Sequence, residues 1–177
     1  MHSKTAKHSK PRSISIPYGH QLIDEKDIEA VAKVLRDDFI TTGPVAEQFE
    51  EDLCALTGAK HAIVCSNGTV ALHLACLALN IDQDSLGVTS PITFLSSANC
   101  VEFCGGRADF VDIDRETLCL SPKHLKEYCE NVAVPDVVIP VDFAGVPADL
   151  PAIWALSAKY GFNVIEDAAH SIGSTYI

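Results

Sequence analysis

The sequence predicts an α/β fold, a mostly parallel sheet with helices packed on both faces. Three observations predict it. Short apolar segments alternate with longer stretches of helical periodicity, the pattern of βαβ units. The short segments are apolar throughout rather than alternating, as expected of strands covered on both sides. Capping residues, glycines and prolines fall between the two kinds of segment.

The elements follow in order. Asp24 caps a helix carrying Ile28, Val31, Ala32 and Leu35 on one face. Thr42-Gly43-Pro44 breaks the chain. A second helix places Val45, Phe49, Leu53 and Leu56 inward, and Gly58 ends it. His61–Cys65 reads as a short buried strand, followed by a turn at Ser66-Asn67-Gly68. Thr69–Leu79 is apolar almost all round, which suits a helix buried against a sheet. Gly87–Thr89 is the next strand, and Thr93–Cys104 is a helix closed by Gly105-Gly106. Asp109–Ile113 is a strand. Ser121-Pro122 opens a helix to about Val132. Val137–Val141, helix Asp149–Tyr160 ending at Gly161, and strand Asn163–Glu166 complete the pattern.

Composition narrows the function classes. The chain has 177 residues, 47% of them hydrophobic, which is enough for a substantial core and excludes disorder. No apolar run is long enough to span a bilayer, so no membrane partner is expected. The net charge is −11. Residues 1–13 carry Lys4, Lys7, Lys10 and Arg12 and no acid, and read as a basic flexible tail without a secretory core. The remainder is therefore more acidic than the total, a poor surface for nucleic acid. Seven cysteines occur, without a C-x-x-C pair, mostly within apolar runs. They read as reduced core residues of a cytoplasmic protein, and no zinc-type ligand spacing is present.

In parallel α/β sheets, ligands sit beyond the carboxyl ends of the strands. That rule selects residues 66–69, 90–94, 142–145 and 167–170. At Ser66-Asn67-Gly68-Thr69 a helix N-terminus follows a strand. Its amides suit a phosphate, although the segment alone fits a capped turn without a ligand better. Phe94, in Ser90-Pro91-Ile92-Thr93-Phe94, is either a core ring or one that stacks on a planar heterocycle. In Glu166-Asp167-Ala168-Ala169-His170, Asp167 is either a helix cap beside a packed histidine or the partner of a protonated ring nitrogen. Together the three segments offer a phosphate site, a ring cover and a ring-nitrogen partner, which are the needs of pyridoxal phosphate.

Five blocks in order carry a resemblance: Thr41-Thr42-Gly43-Pro44, Ser66 to His73, Thr89 to Phe94, Val141-Asp142-Phe143-Ala144-Gly145, and Glu166 to His170. The sequence resembles the DegT/DnrJ/EryC1/StrS sugar aminotransferases from Ile16 onward. The resemblance implies a three-layer, mostly parallel sheet of the pyridoxal-phosphate (PLP)-dependent, aspartate-aminotransferase-like (fold type I) large domain, present incompletely over residues 14–177. It implies that Gly68 and Thr69 hold the cofactor phosphate and that Phe94 stacks on the pyridine. It also implies that Asp167 pairs with the ring nitrogen and that His170 lies near the phenolic edge. The blocks look most like the branch that aminates UDP-linked 4-keto-6-deoxy-N-acetylhexosamines with glutamate as donor, in a homodimer.

The family's Schiff-base lysine lies downstream of Ile177 in a Ser-x-x-x-Lys context, and no lysine here matches it. The resemblance therefore implies that residues 1–177 alone are inactive. It also implies that the strand at 61–65 lacks its sheet neighbours, leaving the chain unstable or prone to aggregation. A non-catalytic half-domain that binds a partner is the alternative. A PLP-dependent sugar dehydratase of the same fold is a further one. One local departure stands out. Leu86-Gly87-Val88 replaces an acidic residue before two apolar ones, and glycine weakens a strand interior, so drift or decay of the gene is expected there.

Overall fold

A computed structural model of the chain describes residue 19 and residues 21–175. The expected tail at 1–13 lies outside the described residues. Residues 1–45 and 46–177 form two units, described separately.

In the first unit, α1 (Glu25–Val34) begins at a complete capping box. The Asp24 carboxylate accepts from the amides of Lys26 and Asp27, and the Asp27 carboxylate accepts from the Asp24 amide. Ile28, Val31 and Leu35 fall on one face as their spacing predicts, but all are exposed.

Next, α2 (Pro44–Thr57) opens on proline, where the missing N–H would have had no helical partner anyway. Gly58, at φ +74°, follows its last residue. The expected inward stripe forms without being buried: Val45, Phe49 and Leu56 are exposed. Helical spacing creates such a face, whereas burial needs a partner surface.

The expected strand His61–Cys65 is corrected. The segment is irregular. Ile63 is 81% exposed, and the Val64 amide donates to a side chain, Glu50 Oε1, at 2.8 Å rather than to a neighbouring strand. A strand requires a paired neighbour, and among the described residues none pairs with it. Cys65, expected in the core, is exposed for the same reason.

The remaining elements follow the prediction closely. They are α3 (Gly68–Ala78), β1 (Leu86–Thr89), α4 (Ser96–Phe103), β2 (Arg107–Phe110), α5 (Pro122–Asn131), β3 (Val137–Ile139), α6 (Leu150–Tyr160) and β4 (Asn163–Val164). The strands form one parallel sheet in the order β2-β1-β3-β4. β2 starts before the expected Asp109, because Leu86 of β1 pairs with Arg107. β4 stops before the expected Glu166, but an isolated parallel bridge joins Val141 to Asp167. Asp149 caps α6, accepting from the Ala152 amide, and Gly161 closes it at φ +90°.

Alternate strand residues face opposite layers. Val88 and Val138 pack with Leu125 and Cys129 of α5 and Leu150 and Ile153 of α6. Val137 and Ile139 pack with Leu72 and Cys76 of α3 and Cys100 and Val101 of α4. The result is helices, sheet, helices: the predicted three layers. Gly87 corrects the expectation of a weak, drifting position. A Cβ there would lie 2.4 Å from Val101 Cγ2, so its hydrogen is what admits α4 to the sheet.

Candidate functional site

Three strand ends and two helix N-termini of the second unit build the candidate site. At the start of α3, the Asn67 side chain accepts from the Val70 amide at 3.0 Å, and the Asn67 carbonyl accepts from Ala71 at 3.1 Å. Among the described residues the amides of Gly68 and Thr69 find no acceptor beyond the helix end, and they stand at its positive end. Gly68 leaves its Cβ direction open, with nothing within 4 Å. The Thr69 hydroxyl reaches Ser96 Oγ at 2.6 Å.

That serine is the first residue of α4. Its neighbour Ser97 donates to Asp167 Oδ2 at 2.6 Å and meets Thr93 Oγ1 at 2.7 Å. Adjacent Cα atoms are about 3.8 Å apart. Two successive serines therefore bring the helix turn at 68–69 and the carboxylate at 167 into one small region. Asp167 is buried, and its backbone is held on both sides. Its amide donates to the Pro140 carbonyl at 2.9 Å, and its carbonyl accepts from Asp142 at 3.1 Å.

Phe94 lies in the turn between β1 and α4 and is 74% exposed, so it is not a core ring. His170 is exposed in the turn after Asp167. Its carbonyl approaches Gly145, where a Cβ would come within 3.1 Å. Gly145 itself has φ +86°, and Ala144 before it adopts the left-handed φ of +54°, which is uncommon for a residue with a side chain. The turn at 143–145 thus packs against the turn that carries His170.

Several site residues carry no local sequence signal of their own. A serine pair at a helix start, as at Ser96 and Ser97, reads as an ordinary terminus, and Thr93 as part of the turn before it. Asp142 is buried. It accepts from the Ala148 amide at 2.8 Å and from Ser171 Oγ at 2.5 Å. Glu166 is exposed as a residue, yet its carboxyl is pushed up to about 7. Loss of hydration is the largest cause, followed by the negative charge of Asp142 and a hydrogen bond shared with it. Only the folded backbone brings these two carboxyls together. Two open clefts lie elsewhere, about 530 Å³ beside Glu50, Lys60 and His61 and about 400 Å³ beside His124 and Tyr128.

The cluster offers helix-start amides beside a hydroxyl and a buried carboxylate, with the exposed Phe94 ring next in sequence to Thr93. Those groups fit a phosphorylated pyridine, and the open Cβ direction of Gly68 is the space a phosphate would use. Residues 21–177 match the DegT/DnrJ/EryC1/StrS aminotransferase family. The chain belongs to that family. Solved structures agree. An aminotransferase from Psychrobacter cryohalolentis superposes with a TM-score of 0.80 at 31% identity, over 88% of this chain and 39% of that one. 3-Amino-5-hydroxybenzoic acid synthase gives 0.80 at 28% identity, over 88% and 40%. NtdA from Bacillus subtilis, solved with bound pyridoxamine phosphate, gives 0.80 at 29% identity, over 94% and 40%. This member of the family thus spans 39–40% of the length of these three neighbours. Its four-stranded parallel sheet and covering helices are part of their fold type I architecture.

Proposed function

We propose that this chain is the cofactor-cradling part of a PLP-dependent aminotransferase. The whole enzyme would transfer an amino group from glutamate to a UDP-linked 4-keto-6-deoxy-N-acetylhexosamine, as a cytoplasmic homodimer. One observation carries the reading. Ser96 and Ser97 tie Thr69 and Asp167 into a single cluster, which supports a phosphate site at the helix turn and a carboxylate partner for the same ligand.

Each residue then has a physical task. The amides of Gly68 and Thr69 donate to the phosphate, and the Thr69 hydroxyl adds a third donor. The exposed ring of Phe94 covers one face of the pyridine and excludes water from it. Asp167 accepts from the ring N–H and so holds a proton on that nitrogen. His170 stands at the phenolic edge. When bound, the cofactor supplies an electron sink for breaking a bond at the donor's α-carbon.

Lys159, the lysine nearest to Asp167 in sequence, bonds to Tyr160 Oη at 2.8 Å and pairs with Glu130 at 3.6 Å. We therefore expect a polypeptide of residues 1–177 to be inactive by itself. The test is glutamate- and ketosugar-dependent transamination by that polypeptide and by the full-length protein. Turnover by the 177-residue chain would refute the inactivity. Failure of the full-length protein to bind pyridoxamine phosphate, or binding unaffected by Thr69→Ala and Asp167→Asn, would refute the cradle.

A further inference from the structure

The geometry points to Ser97, oriented by Thr93, as the positioning residue that turns Asp167 toward the cofactor's ring nitrogen. The inference rests on the reading of Asp167 given above. Ser97 is wholly buried. It has one hydroxyl proton, and a carboxylate only accepts. The 2.6 Å contact with Asp167 Oδ2 therefore uses that proton. The 2.7 Å contact with Thr93 then has one polarity: Thr93 donates and Ser97 accepts. Thr93 Oγ1 also lies 3.2 Å from the Phe94 carbonyl, but its single proton goes to the shorter contact. A one-way chain results, from Thr93 to Ser97 to Asp167.

The chain decides which oxygen is available. Oδ2 is engaged by a short, charge-assisted bond. Oδ1 meets the Ala169 amide at 3.4 Å, a weak contact that leaves most of its acceptor capacity. The ring N–H is therefore accepted by Oδ1. The Asp167 backbone is already fixed by Pro140 and Asp142, so side-chain rotation is the freedom left, and Ser97 removes it. Thr93 precedes Phe94 in the same turn. One turn thus sets both the angle of the carboxylate and the place of the ring cover.

The test uses the full-length protein and pyridoxamine phosphate labelled with ¹⁵N in its ring. Binding is titrated by fluorescence, and the ring-nitrogen signal is followed by NMR across pH. Ser97→Ala should weaken binding about tenfold, as for loss of a hydrogen bond to a charged group, and shift the ring nitrogen toward its unprotonated form. Ser97→Thr, which keeps the hydroxyl, should restore both. Thr93→Val should move the signal in the same direction by less, and it decides the matter if Ser97→Ala fails to fold. If Asp167→Asn changes the ring-nitrogen signal while Ser97→Ala and Thr93→Val leave it unchanged, the inference is overturned and the reading of Asp167 stands. If Asp167→Asn also leaves it unchanged, that reading fails, and this inference with it.

Discussion

Two residues show how single atoms govern this chain. At Gly87 a hydrogen is the space into which Val101 packs, with a substituted Cβ only 2.4 Å from Cγ2. Gly87→Ala should destabilise the fold by about 1–3 kcal/mol, the usual range for overpacking. Adding Val101→Ala should recover part of that loss, a non-additivity readable in a urea-denaturation double-mutant cycle. Full additivity would mean that the two sites do not meet. At Glu166 the carboxyl is raised from 4.5 to about 7 by lost hydration and by Asp142. Between those values the folded state binds more protons than the unfolded state. This group's contribution to stability is therefore present at low pH and lost as pH rises through about 7. Glu166→Gln should flatten the fall in melting temperature from pH 4.5 to 7, and an unchanged slope would contradict that.

At the scale of elements, capping decides where helices begin. Asn67 supplies the side-chain cap of α3, and the two amides beyond it point out of the helix. Asn67→Ala should cost about 1 kcal/mol in thermal or chemical unfolding, and Asn67→Asp should retain most of it. A loss well below the Ala figure would mean that packing of Leu72 and Cys76 holds this end of the helix without help. Boundaries were legible wherever a chemical signal marked them. Asp24, Ser121-Pro122, Asp149 and Gly161 all stand at helix ends as expected. Strand limits were less so, because register with a neighbour sets them. β2 begins where Leu86 has a partner, not where its own apolar run starts.

For the whole molecule, pairing separates the stable region from the rest. β1 and β3 lie inside the sheet, with Val88, Val137, Val138 and Ile139 almost inaccessible to water. Residues 61–65 have strand-like composition and, among the described residues, no strand to join. Hydrogen exchange followed by mass spectrometry should find 61–65 poorly protected, apart from the Val64 amide bonded to Glu50, and β1 and β3 strongly protected. Protection of 61–65 equal to that of β1 would overturn this account of the 177-residue chain.

The amino-acid sequence by itself determined the layered α/β class, the helices with their caps, and the segments at the strand ends that hold Gly68, Thr69, Phe94, Asp167 and His170. Those features depend on local periodicity, on backbone preferences and on the rule that ligands lie past parallel strand ends. Only the tertiary structure decided which apolar faces are buried, and so left Phe49 and Ile63 exposed and made Gly87 necessary. It alone joined Ser97 to Asp167 and placed Asp142 beside Glu166. Those contacts bridge residues far apart in the chain, and a hydroxyl's partner is chosen by the folded backbone rather than by its neighbours in sequence.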